Sequence, residues 1–287
     1  MSAKVLEVKE LSIAVAGNQG ETSLVRDVNF TLSEGKTMGI VGESGSGKTL
    51  TSLALMGLLS PPLNITSGSI NLLGEELVGA PEQRMRGLRG NRIAMVFQEP
   101  MTSLNPVLSI GYQLSEALMV HSGCNRKEAL KKAVSLLDRV RIPNAKGRLK
   151  NYPHELSGGM RQRVMIAMAM MCDPKVIVAD EPTTALDVTV QAEVLALLKD
   201  LQREFQTAVV FISHDLGVIG DVCDDVTVMY RGDVVETGVV SEVLKQPKHA
   251  YTSALLAARP AFHRGENAHL LDKRKRLADL NTLMEES

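Results

Sequence analysis

Apolar residues follow two rhythms along the chain. Nearly unbroken runs at 37–41, 92–97, 175–179 and 208–212 are bounded by polar or turn-forming residues. Runs of that length read as strands buried on both faces, the habit of a parallel sheet. Between them, apolar positions recur at helical spacing. Leu114, Ala117 and Leu118 share one such face, and Ala129, Ala133, Leu136, Leu137 and Val140 share another. No strong strand pattern occurs in 105–155, so the spacing predicts a helical lobe inserted between two core strands, at about residues 99–160. Residues 1–35 and 66–78 alternate instead, with turns at Ser33-Glu34-Gly35 and Gly74-Glu75. They predict an antiparallel strand set ahead of the parallel core and interrupting it. Residues 226–237 read as a hairpin around Arg231-Gly232-Asp233. The whole is an α/β pattern: a mostly parallel sheet, an antiparallel β subdomain and an inserted helical subdomain. This unit extends over 1–260. Beyond Pro260 the chain turns polar, and 261–287 is read as an extension whose run Lys273-Arg274-Lys275-Arg276 lies on a solvated helix face.

Composition narrows the classes. Apolar residues make up 44% of 287, enough for a packed core, and 32 basic against 33 acidic residues leave a net charge of −1. That balance predicts no nucleic-acid partner and no acidic brush. Aromatics at 3% and the absence of tryptophan argue against base-stacking surfaces and membrane girdles. Lys4, Glu7, Lys9 and Glu10 interrupt the start of the chain, which holds no apolar core of a signal peptide. The longest apolar run, 164–172, has nine residues and is too short to cross a bilayer. Cys124, Cys172 and Cys223 are far apart and fit neither a disulfide framework nor a metal pattern; they are read as buried thiols in a reducing cytoplasm.

Candidate chemistry begins at the tightest turn signal, Gly42-Glu43-Ser44-Gly45-Ser46-Gly47-Lys48-Thr49, between a strand run and a helix run. The spacing G-x-x-x-x-G-K-T is that of a loop whose backbone N–H groups wrap phosphate oxygens. Lys48 is placed to reach the β- and γ-phosphates and the Thr49 hydroxyl to ligate Mg²⁺. A second element, Val176-Ile177-Val178-Ala179-Asp180-Glu181, is an apolar strand ending in two acids. At the carboxyl edge of a sheet, Asp180 can enter a Mg²⁺ shell, and Glu181 can orient or deprotonate an attacking water. Third, Leu156-Ser157-Gly158-Gly159-Met160-Arg161-Gln162-Arg163 precedes an apolar helical run. Ser157 is an N-cap and two glycines leave the backbone bare, a second anion site at a helix start.

In their order along the chain these elements resemble the ATP-binding subunits of ABC transporters, over roughly residues 4–260. The phosphate loop matches the Walker A, 156–163 the signature motif, Asp180 the Walker B acid and Glu181 the catalytic glutamate. Ala185-Leu186-Asp187 matches the D-loop, Gln98 the Q-loop glutamine that senses Mg²⁺ and nucleotide, and His214 the switch histidine. The stretches 97–106 and 180–189, and Pro247-Lys248-His249-Ala250-Tyr251-Thr252, are similar to the dipeptide, oligopeptide, glutathione and nickel importer group. The resemblance implies ATP and Mg²⁺ as cofactors, with Glu181, His214 and Gln98 catalytic. Residues 42–49, Leu156, Ser157, Gly158, Gly159 and Asp187 would contact nucleotide, and Thr49, Gln98 and Asp180 the metal. It implies a head-to-tail pair with a similar, non-identical ATPase chain. Two transmembrane permease subunits and, through them, an extracytoplasmic solute-binding protein complete the set, at the cytoplasmic face of the cell membrane.

Three departures stand out. The family's adenine-stacking aromatic has no counterpart in Leu11-Ser12-Ile13-Ala14-Val15-Ala16. Met160 replaces the glutamine common at the signature's fifth position, and no cysteine follows Cys223, so no iron–sulfur cluster is expected. The alternative within the family, a soluble clamp on nucleic acid or ribosomes, brings two cassettes in one chain or a long coiled coil with a basic face; the sequence shows neither. A regulatory module that binds ATP without hydrolysing it has no use for Glu181.

Overall fold

The structure, a computed structural model, describes residues 3–17, 20–184 and 186–258, the side chain of Thr102 excepted. The expected extension at 261–287, its basic run, and Ala185 of the D-loop match lie outside the described residues.

The chain starts with two long antiparallel strands, β1 (Lys4–Gly17) and β2 (Gly20–Ser33). Then come β3 (Thr37–Val41), α1 (Lys48–Leu55), β4 (Leu63–Leu72), the short β5 (Glu75–Glu76) and α2 (Glu82–Leu88). β4 returns against β1, so the antiparallel set predicted from alternation forms, with β4 beginning three residues earlier than the pattern suggested. After β6 (Ile93–Val96) the helical lobe follows: α3 (Pro100–Ser103), α4 (Ile110–Ser122), α5 (Arg126–Arg139), α6 (Ala145–Arg148), then α7 (Gly158–Ala169) leading back to the core. Local chemistry sets these helix limits. Ser109 and Asn125 cap α4 and α5 by accepting the N–H of Tyr112 and Glu128, and Gly123 ends α4 in the left-handed region. The core closes with β7 (Val176–Asp180), α8 (Val188–Phe205), β8 (Ala208–Ser213), α9 (Leu216–Val222), the hairpin β9 (Asp225–Tyr230) and β10 (Asp233–Val239), then α10 (Val240–Lys245) and α11 (Ala250–Ala257).

Among the described residues the strands form one sheet, ordered β5-β4-β1-β2-β10-β9-β3-β8-β7-β6. β3, β8, β7 and β6 pair in parallel, as the unbroken apolar runs implied, and β9, read in sequence as part of a hairpin, also pairs in parallel with β3. Burial on both faces follows the strand period of two. Ile177, Ala179, Val209 and Phe211 join the apolar cluster shared with α4, α5, α7 and α8. Val176, Val178, Val210 and Ile212 join the opposite one, shared with α1, α2 and the antiparallel strands. Cys124, Cys172 and Cys223 are free and only partly buried, less enclosed than their sequence context suggested.

Register decides what shares an edge. Ile40 of β3, Ile212 of β8 and Asp180 of β7 stand in one row, and Val96 of β6 pairs with Ala179 one step short of it. The residues that follow these strands therefore emerge together at one carboxyl edge, where ligands of open α/β sheets bind.

Candidate functional site

Residues 42–49 leave β3 and enter α1 as a loop pressed against its neighbours. A Cβ on Gly42 would lie 2.1 Å from the Met229 carbonyl oxygen, so only glycine fits there. Gly47 has φ 102°, and a Cβ on it would meet Val25 at 2.8 Å. Lys48 is buried at 5% exposure, and its ammonium donates to the carbonyls of Gly42 and Glu43, each at 2.8 Å. Burial pushes the Lys48 pKa down, while Glu181, Asp180 and Glu43 pull it back up. The lysine is thus folded onto its own loop, with a third N–H beyond those two bonds.

Asp180 ends β7, buried at 5% exposure. Its Oδ2 accepts from Ser52 Oγ at 3.0 Å; that hydroxyl also lies 2.8 Å from the Thr49 carbonyl, so one proton is shared between two acceptors. Oδ1 is buried with no hydrogen-bond partner. Burial raises the Asp180 pKa, against the opposing pull of Ser52 and Lys48. The charged form is therefore the costly one in the folded chain. That cost is absent below the unfolded pKa and grows as pH rises through the raised folded one. Asp180→Asn is accordingly expected to raise the melting temperature of the ligand-free chain by a few degrees at pH 7, with the gain shrinking on acidification; thermal melts across pH check it. Among the described residues no cluster of three or more His, Cys, Asp or Glu is arranged to hold a metal unaided. The orphan Oδ1 beside the exposed Thr49 suits a hard cation that takes one or two protein oxygens and completes its shell from water and phosphate.

Glu181 follows in the left-handed region at φ 45°, a conformation costing a non-glycine residue about 1–3 kcal/mol. Its N–H is held by the Ile212 carbonyl at 3.0 Å. This kink turns the side chain away from the strand's alternation, and Oε2 is met from three elements. Thr184 Oγ1 donates at 2.8 Å, His214 Nδ1 lies at 3.1 Å and Gln98 Nε2 donates at 3.4 Å. His214 stands just past β8 and is 58% exposed; Gln98 stands just past β6. A cleft of about 530 Å³ is lined by Glu43, Ser44, Gly45, Gly47, Lys48, Thr49, Leu50, Gln98, Glu181 and His214. The arrangement joins a phosphate cradle, a buried cation, an orphan carboxylate oxygen and an anchored glutamate.

Other residues singled out in sequence are placed elsewhere. Leu156 is 2% exposed in the core, so its side chain anchors the segment and takes no part in an exposed site. Ser157 caps α7, its hydroxyl accepting from the Met160 N–H at 3.3 Å. A Cβ on Gly158 would meet nothing within 4 Å, so this chain's own packing does not require glycine there, whereas a Cβ on Gly159 would meet Val190 at 2.9 Å. Asp187 caps α8, accepting from the Val190 N–H at 2.9 Å. Neither Asp187 nor 156–159 lines the cleft. Two contributors were not foreseen. Ser52 is one helical turn beyond Lys48, and Thr184 is three residues beyond Glu181; hydroxyls at those offsets from a lysine and an acid were the available signal.

Comparisons with known proteins place the chain in a family. The family model described as ABC transporter matches residues 25–184. The oligopeptide transport ATP-binding protein OppD of Salmonella typhimurium is 52% identical over 267 residues, covering 93% of this chain and 79% of its own. The glutathione import ATP-binding protein GsiA of Escherichia coli is 51% identical over 265 residues, 90% of this chain but 42% of its own. Among solved structures, the ATP-binding cassette MJ0796, a dimer in a post-hydrolysis state with ADP and Pi, superposes with a TM-score of 0.72 at 25% identity, over 82% of this chain and 98% of its own. The cbiO1 subunit of a Clostridium perfringens transporter does so with a TM-score of 0.72 at 26% identity, over 98% of this chain and 99% of its own.

Proposed function

Because the chain belongs to the ABC transporter family, we propose that it is the ATP-hydrolysing subunit of an importer for small peptides or a related solute such as glutathione. The observation that carries this reading is the cleft itself: the phosphate loop, Glu181 and His214 line one space. The triphosphate lies along the loop, where backbone N–H groups at the start of α1 meet its oxygens. Lys48 turns from the carbonyls of Gly42 and Glu43 to the β- and γ-phosphates. Glu181 takes the proton of the attacking water, and Thr184, donating to Oε2, holds the carboxylate in place. His214, already beside Glu181, positions the γ-phosphate, and Gln98 reports its presence to the helical lobe. Asp180 and Thr49 would hold Mg²⁺, with Gln98 nearby; when bound, that ion neutralises charge on the phosphate oxygens.

Ser157, Gly158 and Gly159 belong in this reading to the pocket of a second, similar but non-identical chain paired head to tail, as does Asp187 at that interface. Exposed Ser157 and the open space at Gly158 support the assignment. Among the described residues no helix is long and apolar enough to cross a membrane. Passage of solute then falls to two permease subunits, fed by an extracytoplasmic binding protein, with this chain at their cytoplasmic face. Assembly with those subunits in vesicles tests the reading: peptide delivered by the binding protein is expected to raise ATP turnover, and indifference to every peptide and to glutathione overturns it.

The missing adenine platform supplies a further check. Val15, half-buried in β1, stands where the family places an aromatic. Val15→Tyr is expected to tighten ATP by about 1 kcal/mol or more, the worth of base–aromatic stacking. Titration with ATP reads it, and unchanged affinity moves the base elsewhere.

A further inference from the structure

The phosphate loop is tied to a part of the chain that the hydrolytic mechanism leaves unused. The Glu43 N–H donates to the phenol oxygen of Tyr251, on α11, at 3.0 Å across 208 positions of sequence. That N–H belongs to the peptide whose carbonyl, Gly42 O, accepts from Lys48 at 2.8 Å. One peptide unit thus joins Tyr251 on one side to Lys48 on the other. The next carbonyl, Glu43 O, also accepts from Lys48 and from the Ser46 N–H at 3.2 Å. Tyr251 is fixed for this task. It is 4% exposed, and its ring lies 4.4 Å from that of Tyr230 at the end of β9. His249 accepts the Tyr251 N–H through Nδ1 at 3.2 Å. The loop before α11 is pinned in turn by Glu236 of β10, whose carboxylate accepts the N–H groups of Lys248 at 2.8 Å and His249 at 3.1 Å. Burial works to raise the Glu236 pKa, but the Lys248 and His249 N–H groups together with the Thr252 hydroxyl and the His249 charge outweigh it and pull the pKa down.

We propose that Tyr251 is a positioning residue for the phosphate loop: its phenol oxygen sets the Gly42–Glu43 peptide, and through it the place from which Lys48 meets the triphosphate. The inference rests on the ATPase reading above and adds the 247–252 segment to the nucleotide site. Removing the hydroxyl leaves a half-buried N–H without its protein partner, and the loop moves to satisfy it.

Tyr251→Phe in the full chain tests this, with ATP and inorganic tripolyphosphate as probes. Affinity for both is expected to fall about 5–20-fold, the scale of one lost hydrogen bond, while kcat at saturating ATP and the melting temperature stay near wild type. ATP affinity equal to wild type overturns the proposal. So does a loss for ATP without one for tripolyphosphate, which would place the effect at the base, and so does a joint fall of kcat, affinity and melting temperature, which marks general loosening. Tyr251→Leu is the companion: impairment in Leu with Phe unaffected assigns the role to packing on Tyr230 and also overturns it. Wild-type chain that bound neither probe would refute the ATPase reading instead, a result distinct from these.

Discussion

Glu181→Gln is expected to lower ATP turnover by about 10²–10⁴-fold, the usual worth of a positioned general base, with ATP binding retained. The amide fills the same space and keeps a carbonyl oxygen for Thr184 and His214, so the geometry around φ 45° has no reason to change. What is lost is the ability to take a proton. With one negative charge fewer facing the triphosphate, affinity is expected to hold or rise. Phosphate release in single turnover, beside a nucleotide titration, separates the two quantities. Turnover near wild type would remove Glu181 from the role of base and leave His214 as the remaining titratable group of the cleft's catalytic side.

Lys48→Ala is expected to weaken ATP by about 10²–10³-fold. Charge-assisted hydrogen bonds contribute about 1.5–3 kcal/mol each, and the ammonium has donors for two phosphate oxygens. Its removal also leaves Glu181, Asp180 and Glu43 without the cation that faces them, so the cleft repels the triphosphate. Melting temperature is a useful control. The Glu43 carbonyl borders the cleft and can turn to water, while the buried Gly42 carbonyl loses its lysine partner, so the ligand-free chain is expected to keep its fold and melt slightly lower. A titration indistinguishable from wild type would refute the loop as the phosphate site. The two substitutions also diverge: Glu181→Gln binds without turning over, and Lys48→Ala fails before that step.

Much of this site was legible because its signals are local. The loop at 42–49 carries its own spacing, Ser157 announces a cap beside a helical run, and Asp180 and Glu181 close an apolar strand. Each needs only a few neighbouring residues, and local backbone preference writes them directly. The readings that shifted depended on more distant contacts. Leu156 looked like part of an anion site but packs inward. Asp187 accepts the N–H of Val190 as the cap of α8.

By itself, the sequence determined the core strand runs, the helical lobe, the α/β class and the residue types able to cradle phosphate, because periodicity and turn chemistry act over a handful of positions. Tertiary structure alone decided how those residues meet. The rows of β3, β8, β7 and β6 bring Gly42, His214, Glu181 and Gln98 to one edge, and the strained turn at Glu181 selects the oxygen that three partners share. The packing of α11 sets Tyr251 against Glu43. Such contacts follow from strand register and side-chain packing between segments far apart in the chain, and the order of residues along the chain does not say which distant segments become neighbours.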